Sequence, residues 1–294
     1  MRRDEMTSTP ECGGMRNVAS HRFPGAGHPA IAEDCWVVEE RALFIQVAEV
    51  GLYTMMWTRT DVAAGAAGFL PHDGVLGEAP EALALCAGFL FTESMIDSMA
   101  DIESLAICPD DPDVVKVKLV DPSRVRNNRR SGIVASSCGI CGEVGEVGSL
   151  YAGIPTVTDT LRIDPVRFAP LMEALRSRQA VFNSTGGTHA AALFSHDVVL
   201  LSSAEDLGRH NALDKVIGQR LLGGLTTARC GVILSGRVSL ELIIKAARAG
   251  IEIIGAVSAP SSLAIEAAEQ LGVTLCGFVR QGRLTAFTHP HRLV

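Results

Sequence analysis

No stretch of this 294-residue chain approaches the roughly 20 consecutive apolar residues that cross a bilayer as a helix. The opening MRRDEM has two adjacent arginines, but acidic residues follow and no apolar run does, so it does not read as an export signal. Positive charge is also scarce. The 26 Lys and Arg face 33 Asp and Glu, for a net charge of −7, the opposite of the basic field a nucleic-acid binder carries. Neither nucleotide fingerprint, G-x-G-x-x-G or G-x-x-x-x-G-K-[ST], is present. Among eight cysteines there is one close pair, Cys138 and Cys141, and no second C-x-x-C to complete a zinc site. The other six, Cys12, Cys35, Cys86, Cys108, Cys230 and Cys276, are scattered and read as buried thiols in a reducing cytoplasm.

What is present is core material. Hydrophobic residues make up 47% of the chain and the mean hydropathy is +0.25, enough for one large domain or two ordinary ones. Residues 1–33 are rich in Gly, Pro, Arg, His and Ser without apolar period, and read as a flexible tail. Residues 34–130 read as a smaller α+β subdomain. WVVEERALFIQVAEVG and LYTMMWT are its first strands, and PEALALCAGFLFTESM is a helix opened by Pro80. DVVKVKLV alternates as a half-buried strand, and the basic SRVRNNRRSG marks the boundary. A local echo, AAGFLPHDGVL against CAGFLFTESMI, is too short for a solenoid, which needs at least about three repeats.

Residues 131–294 read as the main domain. After a helix at 165–178, short apolar runs (VVLLS, CGVILSG, IEIIGAVS, VTLCGFV) alternate with amphipathic helices ending in glycine. That alternation predicts an α/β domain with a mostly parallel sheet flanked by helices. In such sheets ligands bind outside the carboxyl ends of strands. Three turns there are polar: STGGTH at 184–189, AEDLGRHNALDK at 204–215, and SGRVSLE at 235–241 with Lys245 one turn on. Gly186, Gly187, Gly208 and Gly236 let backbone approach a ligand. Arg209 and Arg237 offer forks for phosphate, with His210 and Lys215 as further donors. Thr185, His189, Asp206, Asn211, Ser235 and Ser239 complete the candidate contacts for an anionic ligand. A single such turn is ordinarily just a turn, and Arg209, Lys215 or Lys245 alone would be a solvated charge; the case rests on three turns together.

The cysteine pair sits in SSCGICGEVGEVG. Zinc would need two more ligands, for which His189 is the best placed by sequence. A zinc deaminase signature is absent, since Ala191 stands where H-x-E requires glutamate and the motif order is reversed. A thioredoxin-like role wants the pair at a helix start, whereas Glu143 and Glu146 oppose thiolate formation, with Arg129 and Arg130 upstream to compensate. Glycine and serine flanks suit a loop carrying two thiols between sites, and argue against two merely buried small residues.

Taken together, SSCGICGE, STGGTHAAALF, EDLGRHNALDKVIG, SGRVSLELIIKAARAGI and AVSAPSSLAIEAAEQLGVTLCGFVR closely resemble the FdhD/NarQ family of formate dehydrogenase accessory sulfurtransferases. CAGFLFTESMIDS is similar to that family's N-terminal segment, and the resemblance runs over residues 36–288. Arg59 departs from it, standing where the family carries proline after threonine.

The resemblance implies a fold similar to cytidine deaminases without their zinc, and a cytoplasmic homodimer. It implies sulfur transfer from a cysteine desulfurase, through a persulfide on Cys138 or Cys141, to the molybdenum (or tungsten) bis-guanine-dinucleotide cofactor destined for formate dehydrogenase. The three polar turns would then hold that cofactor's pyrophosphates. A cofactor-binding chaperone that moves no sulfur is the alternative, and a deaminase-like zinc enzyme a third reading. No metal site, nucleic acid or membrane is expected.

Overall fold

The structure, a computed structural model, describes residues 13–61, 68–69, 80–125, 132–134 and 151–294, the short pieces 68–69 and 132–134 as backbone only. Strands β1 (Met15–Arg22) and β2 (Ile31–Val38) pair antiparallel along their whole length. The tail expected over residues 1–33 is therefore corrected for residues 13–33, which carry most of this ribbon. No position of β1 is buried, so no apolar alternation existed to be read. The ribbon is held by its backbone ladder, by Ser20 Oγ donating to Glu33 O at 2.9 Å and by an Arg22–Glu33 ion pair.

A first sheet follows: β3 (Arg41–Val47), β4 (Gly51–Trp57), β5 (Gly68–Phe69), β6 (Ile102–Cys108), β7 (Asp111–Leu119) and β8 (Gly132–Val134), in the order β5-β6-β7-β3-β4-β8. Because β8 pairs with β4, the expected domain boundary at 130/131 leaves the last strand of this sheet on the wrong side. Of the GFL echo, the first copy lies outside the described residues except for the backbone of β5. Alternate residues Leu43, Ile45 and Val47 of β3, and Tyr53, Met55 and Trp57 of β4, point inward. They meet helix α1 (Glu81–Thr92), in which every residue but Phe91 is buried. A helix apolar all round must be covered on every side, and α1 lies between this sheet and the second half of the chain.

The second half builds a six-stranded sheet from β9 (His189–Phe194), β10 (Leu200–Asp206), β11 (Gly231–Leu234), β12 (Ile253–Ala256), β13 (Thr274–Arg280) and β14 (Arg283–Ala286), ordered β10-β9-β11-β12-β13-β14. Helix α2 (Phe168–Arg176) covers one face, and α4 (Arg209–Leu222), α5 (Leu240–Arg248) and α6 (Ser262–Leu271) cover the other; the short α3 (Ala180–Thr185) precedes β9. The sheet is mixed rather than mostly parallel. Only β11–β12 and β12–β13 are parallel neighbours, while β10–β9, β9–β11 and β13–β14 are antiparallel. The reason is connection length: the turn after β9 closes with Val198 N donating to Ser195 O, too short for a parallel crossover. Of the scattered cysteines, Cys86, Cys230 and Cys276 are buried as expected, but Cys108 is half-buried and Cys35 exposed. No helix among the described residues is long and apolar enough to cross a membrane.

The two halves meet where α1 crosses α4, backbone against backbone. A Cβ on Gly88 would stand 1.9 Å from Asp214 O, and one on Gly218 would stand 1.8 Å from Ala84 O. Both obstacles are carbonyl groups inside helices, which cannot rotate away. In an open helix, Gly→Ala stabilises by about 1 kcal/mol. Here we expect G88A and G218A each to destabilise instead, by about 3 kcal/mol or more, through overpacking. Denaturant unfolding of the two variants checks the sign as well as the size.

Candidate functional site

The direction of β9 is what assembles the polar edge. Strands β10, β11, β12 and β13 all run one way and β9 runs against them, so the start of β9 lies beside the ends of β10 and β11. His189 is paired with Asp206 across the ladder, and Ala191 with Leu234. Ser235 N donates to Ala190 O at 3.0 Å, while Ser235 Oγ accepts from Ala190 N at 2.8 Å. The three polar turns thus share one edge of the sheet. One of them, STGGTH, leads into its strand instead of following one.

Each turn is fixed locally. Helix α3 ends at Gly186, whose φ of 69° is left-handed, and Thr185 Oγ1 accepts from Gly187 N at 3.0 Å while donating to Val181 O. A side chain on Gly187 would meet Val38 Cγ1 at 2.8 Å, so the β1–β2 ribbon lies against this loop. Buried Glu205 holds the segment from beneath, accepting from Val181 N, Phe182 N and Thr188 Oγ1. Gly208 precedes α4 and Ser239 precedes α5, and neither helix start has a side-chain cap. Two helix starts without a side-chain cap among the described residues, each a positive dipole end, therefore face the same edge.

Arg209, Arg237, His189 and His210 gather on this edge, with Asp206 and Glu241 as its acids. His189 is half-buried, with Gly236 packed so closely that a Cβ there would lie 3.0 Å from its Nδ1. Burial first, then the charges of Arg209 and Arg237, hold the His189 imidazole below its ordinary 6.5, against a weaker opposite pull from Asp206. Arg237 is exposed, whereas Arg209 has a buried Nε without a hydrogen-bond partner among the described residues. An orphan guanidinium N–H, an exposed guanidinium and two uncapped helix starts describe a place for an oxyanion. His210 is buried beside them, its Nε2 3.1 Å from Ser239 Oγ and 3.4 Å from Glu241 Oε2, linking α4 to the start of α5.

Four of the expected contacts lie elsewhere. Lys215 has no exposed surface, and its Nζ meets Thr58 O at 2.7 Å, Glu205 O at 2.9 Å, Asp206 Oδ2 at 3.0 Å and Glu81 Oε2 at 3.2 Å. The same ammonium lies 5.0 Å from the centre of the Trp57 ring. Asp206 is fully buried and also accepts from Thr58 N, Gly208 N and Asn211 Nδ2. Asn211 spends its second N–H on Met56 O at 2.8 Å. Lys245, 2% exposed, is held by Asp214 at 2.8 Å, Thr92 Oγ1 at 2.9 Å and Glu93 at 3.1 Å. Lys215, Lys245, Asp206 and Asn211 are therefore interior supports with no free surface for a ligand, and the reading of them as its contacts is corrected. Burial pushes the Asp214 carboxyl up to about 6 against the pull of Lys245.

Sequence reasoning missed the partners Glu81, Thr92, Glu93, Glu205 and Asp214. The available signal was that Lys215 and Lys245 interrupt otherwise apolar helix stretches. Arg59, the departure from the family pattern, is buried and pairs with Asp61 at 2.8 Å. Cys138 and Cys141 lie outside the described residues.

Comparison with known proteins places these features in company. The model of the FdhD/NarQ family matches residues 79–294. A protein named sulfur carrier protein FdhD from Streptomyces avermitilis is 40% identical over 262 residues, covering 87% of this chain and 88% of its own. Another of that name, from Sulfolobus acidocaldarius, is 42% identical over 212 residues, covering 72% of this chain and 80% of its own. A crystal structure named for a formate dehydrogenase accessory protein, from Desulfotalea psychrophila, is similar in fold, with a TM-score of 0.69 and 22% identity. It covers 95% of this chain and 99% of its own.

If Lys215 and Lys245 are interior counter-charges, K215M and K245M should each cost about 3–5 kcal/mol of folding stability without any ligand, by stranding buried carboxylates. R237Q, on an exposed side chain, should change it by less than about 0.5 kcal/mol. Urea titration of the three variants separates supports from contacts.

Proposed function

The chain belongs to the FdhD/NarQ family, and we propose that it is a sulfur carrier serving formate dehydrogenase, with its polar sheet edge holding the guanine-dinucleotide arms of the molybdenum (or tungsten) cofactor that receives the sulfur. The observation that supports this most is the orphaned Arg209 Nε, set with Arg237, a low-pKa His189 and two uncapped helix starts on one edge. A pyrophosphate supplies several acceptor oxygens and negative charge, which is what such an edge lacks. Thr185, Gly186, Gly187, His189, Gly208, Arg209, His210, Ser235, Gly236, Arg237 and Ser239 form or frame that contact surface.

The relatives' name, sulfur carrier, supports the other half of the reading. A thiolate of Cys138 or Cys141 attacks the outer sulfur of a persulfide on a cysteine desulfurase. A new S–S bond forms, the desulfurase cysteine leaves as thiolate, and the carrier holds Cys–S–S⁻. In delivery, the thiolate of the second cysteine attacks the inner sulfur and a Cys138–Cys141 disulfide forms. The outer sulfur leaves as sulfide for the metal of the cofactor, and an external dithiol reduces the disulfide; alternatively the second cysteine first takes over the persulfide by the same exchange. An ordinary thiol has a pKa of about 8.5, so the surroundings of the pair must lower one of the two. We read the carrier as a cytoplasmic homodimer with a deaminase-like fold, working between the desulfurase and formate dehydrogenase.

Incubation with a cysteine desulfurase and cysteine should add one sulfur to the peptide containing Cys138 and Cys141, and C138A/C141A together should abolish both that adduct and formate dehydrogenase maturation. Maturation without any adduct would leave the cofactor-binding chaperone as the surviving reading. By calorimetry, R237Q should weaken guanosine diphosphate binding by about 1–3 kcal/mol; undiminished affinity would move the ligand off this edge.

His189 supplies an independent check by NMR. Its ring should titrate below 6.5 in the free protein. Bound diphosphate offsets the two arginine charges and should raise that value. By linkage, diphosphate affinity then rises as pH falls from the ligand-bound His189 pKa toward the free one.

A further inference from the structure

The opposite edge of the second sheet, where β10 and β11 begin, carries a cavity of about 450 Å³ that the proposed function leaves unused. Leu161, Leu201 and Ala228 are among its apolar walls, and Arg220 and Arg229 stand on its polar side. From Cys230, which also lines it, to Ser235 is five residues of strand, about 16 Å at roughly 3.3 Å each. The two edges are therefore separate sites.

Both guanidiniums are oriented from behind. Arg220 donates from Nε and Nη2 to Thr226 O at 3.4 and 3.1 Å, and Arg229 donates from Nε to Thr160 Oγ1 at 3.1 Å. These bonds leave Nη1 of Arg220 and both Nη groups of Arg229 without an acceptor among the described residues. Neither arginine has an ion-pair partner among the described residues. The nearby carboxylates are occupied: Glu252 accepts from Thr158, Thr160 and Leu161, and Asp197 pairs with His196 on the rim at 3.2 Å. Backbone strain gathers at the same place. Arg229 has φ 64°, and Val198, in the loop that supplies Ser195 and His196, has φ 63°, a conformation costly for a β-branched residue.

We propose that this cavity is a second binding site, for a small phosphomonoester whose dianion lies between Arg220 and Arg229 and whose apolar or aromatic body fills the remaining space. Two fixed guanidiniums match two negative charges, where a carboxylate would leave one unanswered. The volume is in the range of small-molecule pockets.

The test is calorimetry of phenyl phosphate on the full chain, with benzoate and inorganic phosphate as the other arms. One equivalent of phenyl phosphate should bind more tightly than either, and saturating guanosine diphosphate should not displace it. R229Q, on an exposed residue, and R220Q, verified as folded by its melting temperature, should each weaken binding by about tenfold or more. Absence of saturable binding, binding that both variants retain, or displacement by guanosine diphosphate would overturn the site. Equal affinity for inorganic phosphate would overturn the phosphomonoester assignment.

Discussion

A single fully buried ammonium group fixes the geometry on which the candidate site depends. Lys215 Nζ is surrounded by acceptors from Thr58 just after β4, from α1 and from the end of β10, parts of the chain that are distant in sequence. Taking that charge out of water costs several kcal/mol unless every partner is in place, so the network tolerates little displacement of any of the three. Asp206 transmits the constraint. Its carboxylate is shared among Lys215, Thr58 N, Gly208 N and Asn211, which leaves the backbone just before Arg209 no freedom. Arg209 is held at the edge because the residues beneath it are clamped.

The glycine crossing of α1 and α4 makes this clamp possible. At an ordinary interhelical separation of 8–10 Å, neither set of short bonds would span the gap so directly. The close approach also brings Thr92 within 2.8 Å of Asp214 and 2.9 Å of Lys245, forming a second buried network beside the first. The halves of the chain are thus joined by packing without side chains at two points and by a buried lysine held between two acids at two others. Apolar contacts alone would tolerate sliding; these do not.

The sequence made one half of this architecture easy to read and left the other obscure, for identifiable reasons. Strands β11, β12 and β13 are short fully buried runs separated by amphipathic helices, so their period and punctuation were visible. The three polar turns were visible for the same reason. Strand direction was not: a hairpin and a crossover can begin with the same apolar run, and β9 was the strand that turned back. Ribbon β1–β2 has no buried face to imprint a pattern. Lys215 and Lys245 read as ligand contacts because they follow polar turns, while their partners Glu81 and Thr92 lie 134 and 153 residues away. Spacing cannot reveal partners at that range.

Adjacent residues 214 and 215 face different networks, since neighbours on a helix point about 100° apart. Asp214 answers Lys245, and Lys215 answers Asp206 and Glu81. Suppose α4 were to screw along its axis by one residue. In one direction Lys215 would take the place of Asp214 and confront Lys245, while Val216 would leave Asp206 and Glu81 unanswered. In the other, Asp214 would confront those two acids and Leu213 would leave Lys245 with only Glu93. Either misalignment sets like charge against like in a dry interior. The dipeptide therefore works as an electrostatic parity check on helix register, rejecting the near-miss packings that an apolar interface of alanines, leucines and glycines would accept.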